Sequence, residues 1–325
     1  MVWGCGNSEE EVKKDHDRAL LEVLEMFRRT GLTLNKDKCI FNATKTKFFG
    51  YVFSAEGVSA DPEKVTALRG AEAPKSKEEV RSFLGMAGFN SQFIPGYATI
   101  SVPLRNLTKK ETRFSWGKRE NDAFQLITKA ISDTTMLSYY DTNRPTALFT
   151  DASPVGVNAT LAQLDDQGLY RPVNIASRSL TTTEQGYDQL EREAVAMHFG
   201  CSRFKIFLEG KPFTHFIDPE PLKHMMENPK KEAPARIVRI RLKLQGFSST
   251  IKLIKGKHNP ADYLSRHPLS HKLCSKEERN DYIEIENHIF TVAQMLPEAI
   301  TVTKVQQKTQ RSCTFTHHDA ATLWG

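Results

Sequence analysis

The stretch PTALFTDASPVGVNATLAQLDDQGLYRPVNIA, residues 145–176, decides the fold of the second half of this chain. It holds three β-prone runs, one that ends at Asp151, one from Val155 to Gln163 and one from Tyr170 to Ala176. The turns that join them contain Pro154 and the letters DDQG. Because these connections are short, we predict that the three strands form an antiparallel meander.

Beyond the meander, the pattern alternates between helix and strand. Thr181, with Glu184 three residues later, predicts the capped start of one long helix that ends at Gly210. Its apolar stripe comprises Tyr187, Leu190, Ala194, Met197, Cys201, Phe204 and Leu208. A strand over 212–217, a helix over 235–245 and a strand over 249–255 follow. This order predicts an α/β fold, a three-layer domain of about 150 residues with a five-stranded mixed sheet.

The first part of the chain has a different pattern. Residues 8–31 have the spacing of an amphipathic helix that ends at Gly31, and β-prone runs near 47–53 predict a hairpin or small sheet. Helical spacing returns over 62–110, and one more helix is predicted over 117–133. We therefore expect an α+β region ahead of the α/β domain.

Composition limits the class of protein. The chain has 325 residues, 39% of them apolar, which is enough for at least one full core and suggests two or three domains. No run predicts a membrane span or a signal peptide. The five cysteines are scattered without a CxxC pair, so a reducing compartment is expected and no structural zinc site is predicted. The formal charge of +6 fits a polyanionic partner without requiring one.

Acidic residues stand at the ends of the predicted strands and helices. Asp151 and Asp218 each end a strand, and parallel strands joined by a crossover helix bring such residues to the same sheet edge. A short helix predicted after Asn259 carries Asp262 in its first turn. On the long helix, Glu193 and Glu191 lie at nearly the same angle from the apolar stripe, so helix geometry alone leaves both open.

A cluster of four carboxylates needs a partner that neutralises it. Two like charges about 4 Å apart repel by roughly 4 kcal/mol at an effective dielectric near 20, so the cluster is unfavourable without protons or cations. Oxygen ligands suit Mg²⁺ or Mn²⁺, and two such ions stabilise the attacking and leaving oxygens of a phosphodiester displacement. The acidic residues therefore predict a two-metal site of this kind.

Eight phrases occur in the order that one known family has them. They are GLTLNKDKCIF, FFGYVFSAEGVSADPEKV, EEVRSFLGMAGFNSQFIPGYA, FTDASPVG, YRPVNIASRSLTTTEQGY, EREAVA, FLEGKPFTHFIDPEPL and HNPADYLSRHPL. Through them, residues 1 to about 268 resemble the Pol polyprotein of gypsy-type LTR retrotransposons. The resemblance implies the end of a reverse transcriptase palm over 1–60, thumb and connection helices over 61–113, a ribonuclease H-like domain over 114–268 and a partly disordered spacer toward integrase over 269–325.

The resemblance also implies an activity. A ribonuclease H is an endonuclease that cleaves the RNA strand of RNA:DNA hybrids, leaves a 3′ hydroxyl and a 5′ phosphate, and can recognise RNA by its 2′ hydroxyl. The implied catalytic and metal-binding residues are Asp151, Glu193, Asp218 and Asp262, with Mg²⁺ or Mn²⁺. Glu193 is preferred to Glu191 because the family's glutamate precedes a small apolar run. The polymerase motif Tyr-x-Asp-Asp does not occur in this sequence, so DNA synthesis by this chain alone is not expected.

Basic residues near the acidic ones are candidates for nucleic-acid binding. One set lies on a face of the helix predicted over 235–245, and the other lies in the loop before Asp262. These candidates are Arg236, Arg239, Lys243, Lys255, Lys257 and His258. A solvated surface without a ligand is the alternative for both sets.

Three positions depart from the family's pattern. Pro219 lacks a backbone donor, Glu220 replaces a cation with an anion, and Asn158 stands where glycine is usual. An inactive or repurposed protein that binds nucleic acid is therefore the alternative to the nuclease. The expected partners are an RNA:DNA hybrid or other nucleic acid, and either the polymerase and integrase portions of a longer polyprotein or a second copy of the chain; no membrane is expected. The expected location is intracellular, in cytoplasmic particles or in the nucleus.

Overall fold

A computed structural model describes residues 2, 4–6, 8–132, 136–228 and 232–254 of the chain. The helix predicted after Asn259 and the spacer predicted over 269–325 lie outside these residues. Contacts divide the chain into two units, Met1–Thr46 and Lys47–Gly325. Within the described ranges, no helix combines the length and the apolar character needed to cross a membrane.

The first unit contains the predicted N-terminal helix. Helix α1 spans Glu9–Thr30 and confirms the prediction over residues 8–31. Ser8 caps this helix by accepting a hydrogen bond from the Glu11 N–H. Gly31 ends it at a φ of 70°, a left-handed conformation that glycine adopts without strain. A 3₁₀ turn over Lys36–Lys38 follows.

A small sheet and a helical core come before the central sheet. The small sheet has the order β1 (Lys45–Phe48), β2 (Tyr51–Ser54) and β3 (Gly57–Ala60), as predicted. The helices that follow are α2 (Pro62–Arg69), α3 (Lys77–Phe89), α4 (Tyr97–Ile100), α5 (Val102–Leu107) and α6 (Lys118–Ser132). Phe124 and Ile127 of α6 are buried in one apolar cluster with Phe83 and Leu104. Helix α6 therefore packs with the helices before it, while the domain boundary proposed at residue 114 stays a prediction.

The central sheet has five strands in the order β6-β5-β4-β7-β8. They are β4 (Thr146–Ala152), β5 (Gly156–Leu164), β6 (Tyr170–Ser179), β7 (Phe213–Ile217) and β8 (Ser249–Leu253). Strands β4, β5 and β6 pair antiparallel, whereas β7 runs parallel to both β4 and β8. All five strands overlap their predicted positions, and the predicted α/β fold with a mixed sheet is confirmed.

Helices lie against both faces of this sheet. Helix α8 (Gln189–Arg203) packs on β4 and β5, where Leu148 and Leu161 join its core, and α11 (Ala235–Leu244) packs against α8. On the opposite face, the Ala98 N–H of α4 donates a hydrogen bond to Ser177 Oγ of β6. Helix α10 (Glu220–Glu227), which the sequence analysis did not predict, follows β7 and contacts α8 and α11.

The prediction of one long helix after Thr181 is wrong, because the helix is interrupted. Three helices stand there, namely α7 (Thr182–Gln185), α8 and α9 (Lys205–Leu208). The predicted capping box of Thr181 and Glu184 forms, but Gly186 ends α7. A second start signal then begins α8, because the Asp188 N–H donates to Glu191 Oε2 at 3.3 Å. The apolar stripe is confirmed, since Ala194, Met197, Cys201, Phe204 and Leu208 are all buried.

Gly200 marks a close approach of α8 to the sheet. A Cβ at this position would lie 2.8 Å from Thr150 Cγ2 and 3.2 Å from Ala159 Cβ. We expect Gly200→Ala to lower the free energy of unfolding, because overpacking costs about 1–3 kcal/mol and exceeds the gain in helix propensity of about 1 kcal/mol. Gly85 in α3 is the matched control, since its Cβ would meet nothing within 4 Å. Gly85→Ala should raise stability by about 0.5–1 kcal/mol in urea unfolding. Equal stabilisation by both changes would contradict the close packing at Gly200.

Candidate functional site

Asp151 and Glu193 are brought together at the end of strand β4. Asp151 lies in β4 and is 6% exposed, and Glu193 lies in α8 and is 5% exposed. The Ala152 N–H donates a hydrogen bond to the Glu193 carboxylate. The Gln189 side-chain amide donates to Glu193 Oε1 at 2.8 Å and to the Ala152 carbonyl at 3.4 Å. Glu193 is thus fixed against the backbone next to Asp151.

Asp218 lies at the same edge of the sheet. It directly follows β7, and its side chain is exposed. Strand β7 pairs with β4 in parallel, with Phe216 level with Phe149. Continuing this register for two residues places Asp218 level with Asp151, on strands that lie about 4.8 Å apart in a sheet. The parallel pairing of β4 with β7 therefore brings both aspartates to the same edge of the sheet, and their role as metal ligands stays a prediction.

The pKa of Glu193 reflects its position near both aspartates. Burial raises the pKa of Glu193 well above its ordinary value, and the negative charges of Asp151 and Asp218 raise this pKa further. The hydrogen bonds from Gln189 and Ala152 oppose the shift, because they stabilise the charged carboxylate. The three acidic groups thus form a mutually repelling set that a cation would stabilise.

The structure distinguishes between Glu191 and Glu193, which the helix angles alone could not do. Glu191 Oε2 accepts a hydrogen bond from Arg236 Nη1 in α11. Asp151 and Asp218 are among the causes of the raised pKa of Glu193. The structure therefore places Glu193 in the acidic cluster and Glu191 in a contact between helices.

Asn158 is the neighbour of Asp151 on the next strand. In the antiparallel pairing of β4 and β5 it stands directly opposite Asp151. The side chain is 2% exposed, and neither Nδ2 nor Oδ1 has a hydrogen-bond partner among the described residues. Leaving a buried polar group unpaired costs about 1–3 kcal/mol. A polar ligand at this end of the sheet would remove that cost.

The donor set fits a hard divalent cation. Asp151, Glu193 and Asp218 offer carboxylate oxygens, and Asn158 offers an amide oxygen, which are the ligands that Mg²⁺ and Mn²⁺ prefer. As placed within the described part of the chain, no three His, Cys, Asp or Glu side chains converge closely enough to hold a metal ion. Asp262, the fourth predicted ligand, lies outside the described residues.

The predicted nucleic-acid-binding residues of α11 fall into two groups. Arg236 is engaged within the fold, since it pairs with Glu191 and its guanidinium lies 3.6 Å from the centre of the Tyr187 ring. Arg239 and Lys243 are exposed. The other predicted contacts, Lys255, Lys257 and His258, lie outside the described residues. Binding of nucleic acid by all six stays a prediction.

Two residues that support the acidic cluster were not predicted from the sequence. Gln189 lies four residues before Glu193, a helical spacing that predicts contact and could have identified it. Thr99 of α4 is 54 residues from Ser153, and its Oγ1 lies 3.1 Å from Ser153 Oγ. Ser153 Oγ also accepts the Gly156 N–H at 2.9 Å, so α4 supports the turn that follows Asp151. No local sequence signal predicts a contact over that separation.

Comparisons with known proteins agree with the observed fold. Residues 116–215 match the family model of the RNase H-like domain found in reverse transcriptase, a range that includes Asp151 and Glu193. The chain is 29% identical over 280 residues to the Transposon Tf2-3 and Tf2-4 polyproteins of Schizosaccharomyces pombe. The match covers 85% of this chain and 21% of each polyprotein, so the chain spans about a fifth of the length of these relatives.

Two solved foamy viral structures share this fold. The foamy viral protease-reverse transcriptase in complex with RNA/DNA hybrid has a TM-score of 0.63 at 20% identity, covering 84% of this chain and 37% of that one. The foamy viral protease-reverse transcriptase dRH in complex with double-stranded DNA has a TM-score of 0.63 at 21% identity, covering 75% of this chain and 44% of that one. Together with the sequence relatives, these matches confirm the resemblance to a retrotransposon Pol polyprotein, and residues 116–215 are similar to the RNase H-like domain found in reverse transcriptase.

Proposed function

We propose that this chain is a divalent-metal-dependent endonuclease that cleaves the RNA strand of RNA:DNA hybrids. The observation that carries the proposal is the burial of Glu193 against Asp151 and within the field of Asp218, although the three residues come from three separate elements. Packing alone does not favour such a cluster, because like charges repel more strongly away from water. A site that binds cations accounts for it.

The residues of the chain have distinct roles in this proposal. Asp151, Glu193 and Asp218 hold the cations, with Asp262 as the fourth ligand. Gln189 fixes the orientation of the Glu193 carboxylate through its 2.8 Å hydrogen bond. Bound Mg²⁺ or Mn²⁺ supplies Lewis acidity for attack of water on the phosphodiester. The P–O3′ bond breaks, so one product keeps the 3′ hydroxyl and the other carries the 5′ phosphate.

The proposed substrate is an RNA:DNA hybrid. The foamy viral neighbour was solved with such a hybrid, which supports the substrate class for a chain of this fold. Arg239 and Lys243 are exposed on α11 and would contact phosphates of the duplex. Contacts with the 2′ hydroxyl would distinguish RNA from DNA. Polymerase and integrase portions of a longer polyprotein, or a second copy of the chain, are proposed partners.

Cleavage of a labelled hybrid tests the proposal. We expect the protein to cut the RNA strand in Mg²⁺ or Mn²⁺, to lose activity in EDTA, and to leave a DNA duplex intact. Asp151→Asn should lower the rate by about 100-fold or more, because a metal ion supplies several kcal/mol of transition-state stabilisation. Product ends are read by gel mobility and by ligation.

The matched control is Asp166→Asn. Asp166 pairs with Arg144 on an exposed turn, with 92% of its side chain exposed, so the same chemical change there should leave cleavage unchanged. Equal cleavage by Asp151→Asn and the unaltered protein would rule out the metal-site proposal.

The alternative is a protein that binds nucleic acid without cutting it. It is favoured by the segment after Asp218, where Pro219 has no N–H to donate and Glu220 adds an anion beside the acidic cluster. This alternative predicts binding of the hybrid in EDTA or Mg²⁺ with no cleaved product. Restoring activity by Glu220→Lys would identify that anion as the cause.

A further inference from the structure

We propose that Asn158 is an additional cation ligand, with Oδ1 binding a divalent ion of the Mg²⁺ or Mn²⁺ class, or its water shell, beside Asp151. This inference rests on the proposed function and deepens it. It adds an amide oxygen from β5 to a site otherwise made of carboxylates.

The first reason for this role is the position of Asn158 opposite Asp151. Residues directly opposite one another in an antiparallel pair project from the same face, with Cβ atoms about 4.5–5.5 Å apart. Asn158 stands in this relation to Asp151. A divalent ion held by Asp151 would therefore have an amide oxygen available from the opposite residue. The strand pairing places both side chains on one face of the sheet at the same level.

The second step is the lack of a partner for the amide in the described part of the protein. Asn158 is more than nine-tenths buried, and both of its polar atoms are unbonded there. Its other cross-strand neighbour, Ser177, already accepts the Ala98 N–H at Oγ. Buried amides in folded proteins have partners as a rule. A cation and its waters supply partners for both atoms, since Oδ1 binds the ion and Nδ2 donates to a carboxylate or water.

Gln163 on the same strand provides the contrast. It is 3% exposed, yet its side-chain amide donates to the Asp141 carbonyl at 2.7 Å and to Thr146 Oγ1 at 3.0 Å. Its Oε1 accepts the Asp141 N–H at 2.8 Å. Burial on β5 therefore does not by itself leave an amide unbonded. Of these two amides, the unbonded one is that which faces the acidic cluster.

Binding of Mn²⁺ to the full chain without nucleic acid tests the inference. Titration followed by the electron paramagnetic resonance signal of free Mn²⁺ gives the affinity, and thermal melting with and without Mn²⁺ gives a second readout. We expect Asn158→Leu, which has nearly the same size and no ligating atom, to weaken Mn²⁺ binding by about tenfold, within the range typical of groups that support a metal site. Asn158→Ala should weaken it similarly, and the stabilisation by Mn²⁺ should shrink in both.

Gln163→Ala is the control for general damage to β5. It should lower the melting temperature while leaving the affinity for Mn²⁺ unchanged. Unchanged affinity in a folded Asn158→Leu or Asn158→Ala protein would overturn the role of Asn158. Failure of the unaltered chain to bind Mn²⁺ would instead overturn the proposed function, so the two failures are distinguishable.

Discussion

Glu193→Gln is expected to stabilise the metal-free protein and to abolish its nuclease activity. The change removes a buried carboxylate that Asp151 and Asp218 repel, and it keeps the size of the side chain. Stability in EDTA at pH 8 should therefore rise. Cleavage should fall by about 100-fold or more, because a ligand that supports several kcal/mol of transition-state stabilisation is lost. Urea unfolding and hybrid cleavage measure the two effects.

The raised pKa of Glu193 also determines how the free energy of unfolding changes with pH. The pKa of Glu193 is raised in the folded state above its ordinary value of 4.5. Above pH 4.5 the folded state retains a proton that the unfolded state has lost, so the stability contributed by protonated Glu193 falls as the pH rises. The amide that replaces this carboxyl in Glu193→Gln cannot titrate, and that slope should disappear. Mg²⁺ should stabilise the unaltered protein at pH 8 and the variant much less.

Glu191→Gln is the matched control on the same helix. Glu191 pairs with Arg236 and has no part in the acidic cluster, so its loss should lower stability slightly without altering the response to Mg²⁺. A Glu193→Gln protein that is less stable than the unaltered chain in EDTA at pH 8 would contradict the repulsion. A variant that keeps full activity would remove Glu193 from the metal ligands.

The strands were predictable because their signals are local. β-prone runs with short polar turns identified β4, β5 and β6 within a few residues of their positions, and the apolar stripe identified the face of α8 that is buried. The break after α7 was not predicted because the stripe continues across it. Asp188 and Glu191 carry a second capping signal inside that stripe. Periodicity alone does not distinguish one bent helical path from a straight helix.

Only the part of the candidate site that depends on strand topology could be predicted from the sequence. Parallel pairing of β4 and β7 brings Asp151 and Asp218 to one edge, a rule that requires no knowledge of side-chain contacts. The preference for Glu193 came from the family resemblance, since the angles of the two glutamates are nearly equal. Asn158 was identified only as a departure from the family's glycine, because its burial and lack of partners depend on the register of β5 against β4 and β6.

His215 is expected to make the protein sensitive to mild acid. It is fully buried in β7, its Nε2 lies 3.0 Å from Thr150 Oγ1, and its Nδ1 has no partner among the described residues. Burial lowers the pKa of His215 from 6.5 to about 3. Between these values the unfolded state binds a proton that the folded state does not, so stability falls as the pH falls below about 6.5. Each pH unit in that window costs about 1.4 kcal/mol, or about 2 kcal/mol at pH 5.

This slope opposes that of Glu193 above pH 4.5, so His215 is best isolated in the Glu193→Gln background. There, His215→Gln should flatten the dependence of stability on pH between about 4 and 6.5, because the amide can keep the contact with Thr150 and does not titrate in that range. His224→Gln in α10 is the matched control for the loss of an imidazole, since that histidine is about half exposed. Urea unfolding at pH 5 and pH 7 measures the difference. A slope that survives His215→Gln would mean that another group controls the acid sensitivity, because a side chain that does not titrate in either state contributes nothing to it.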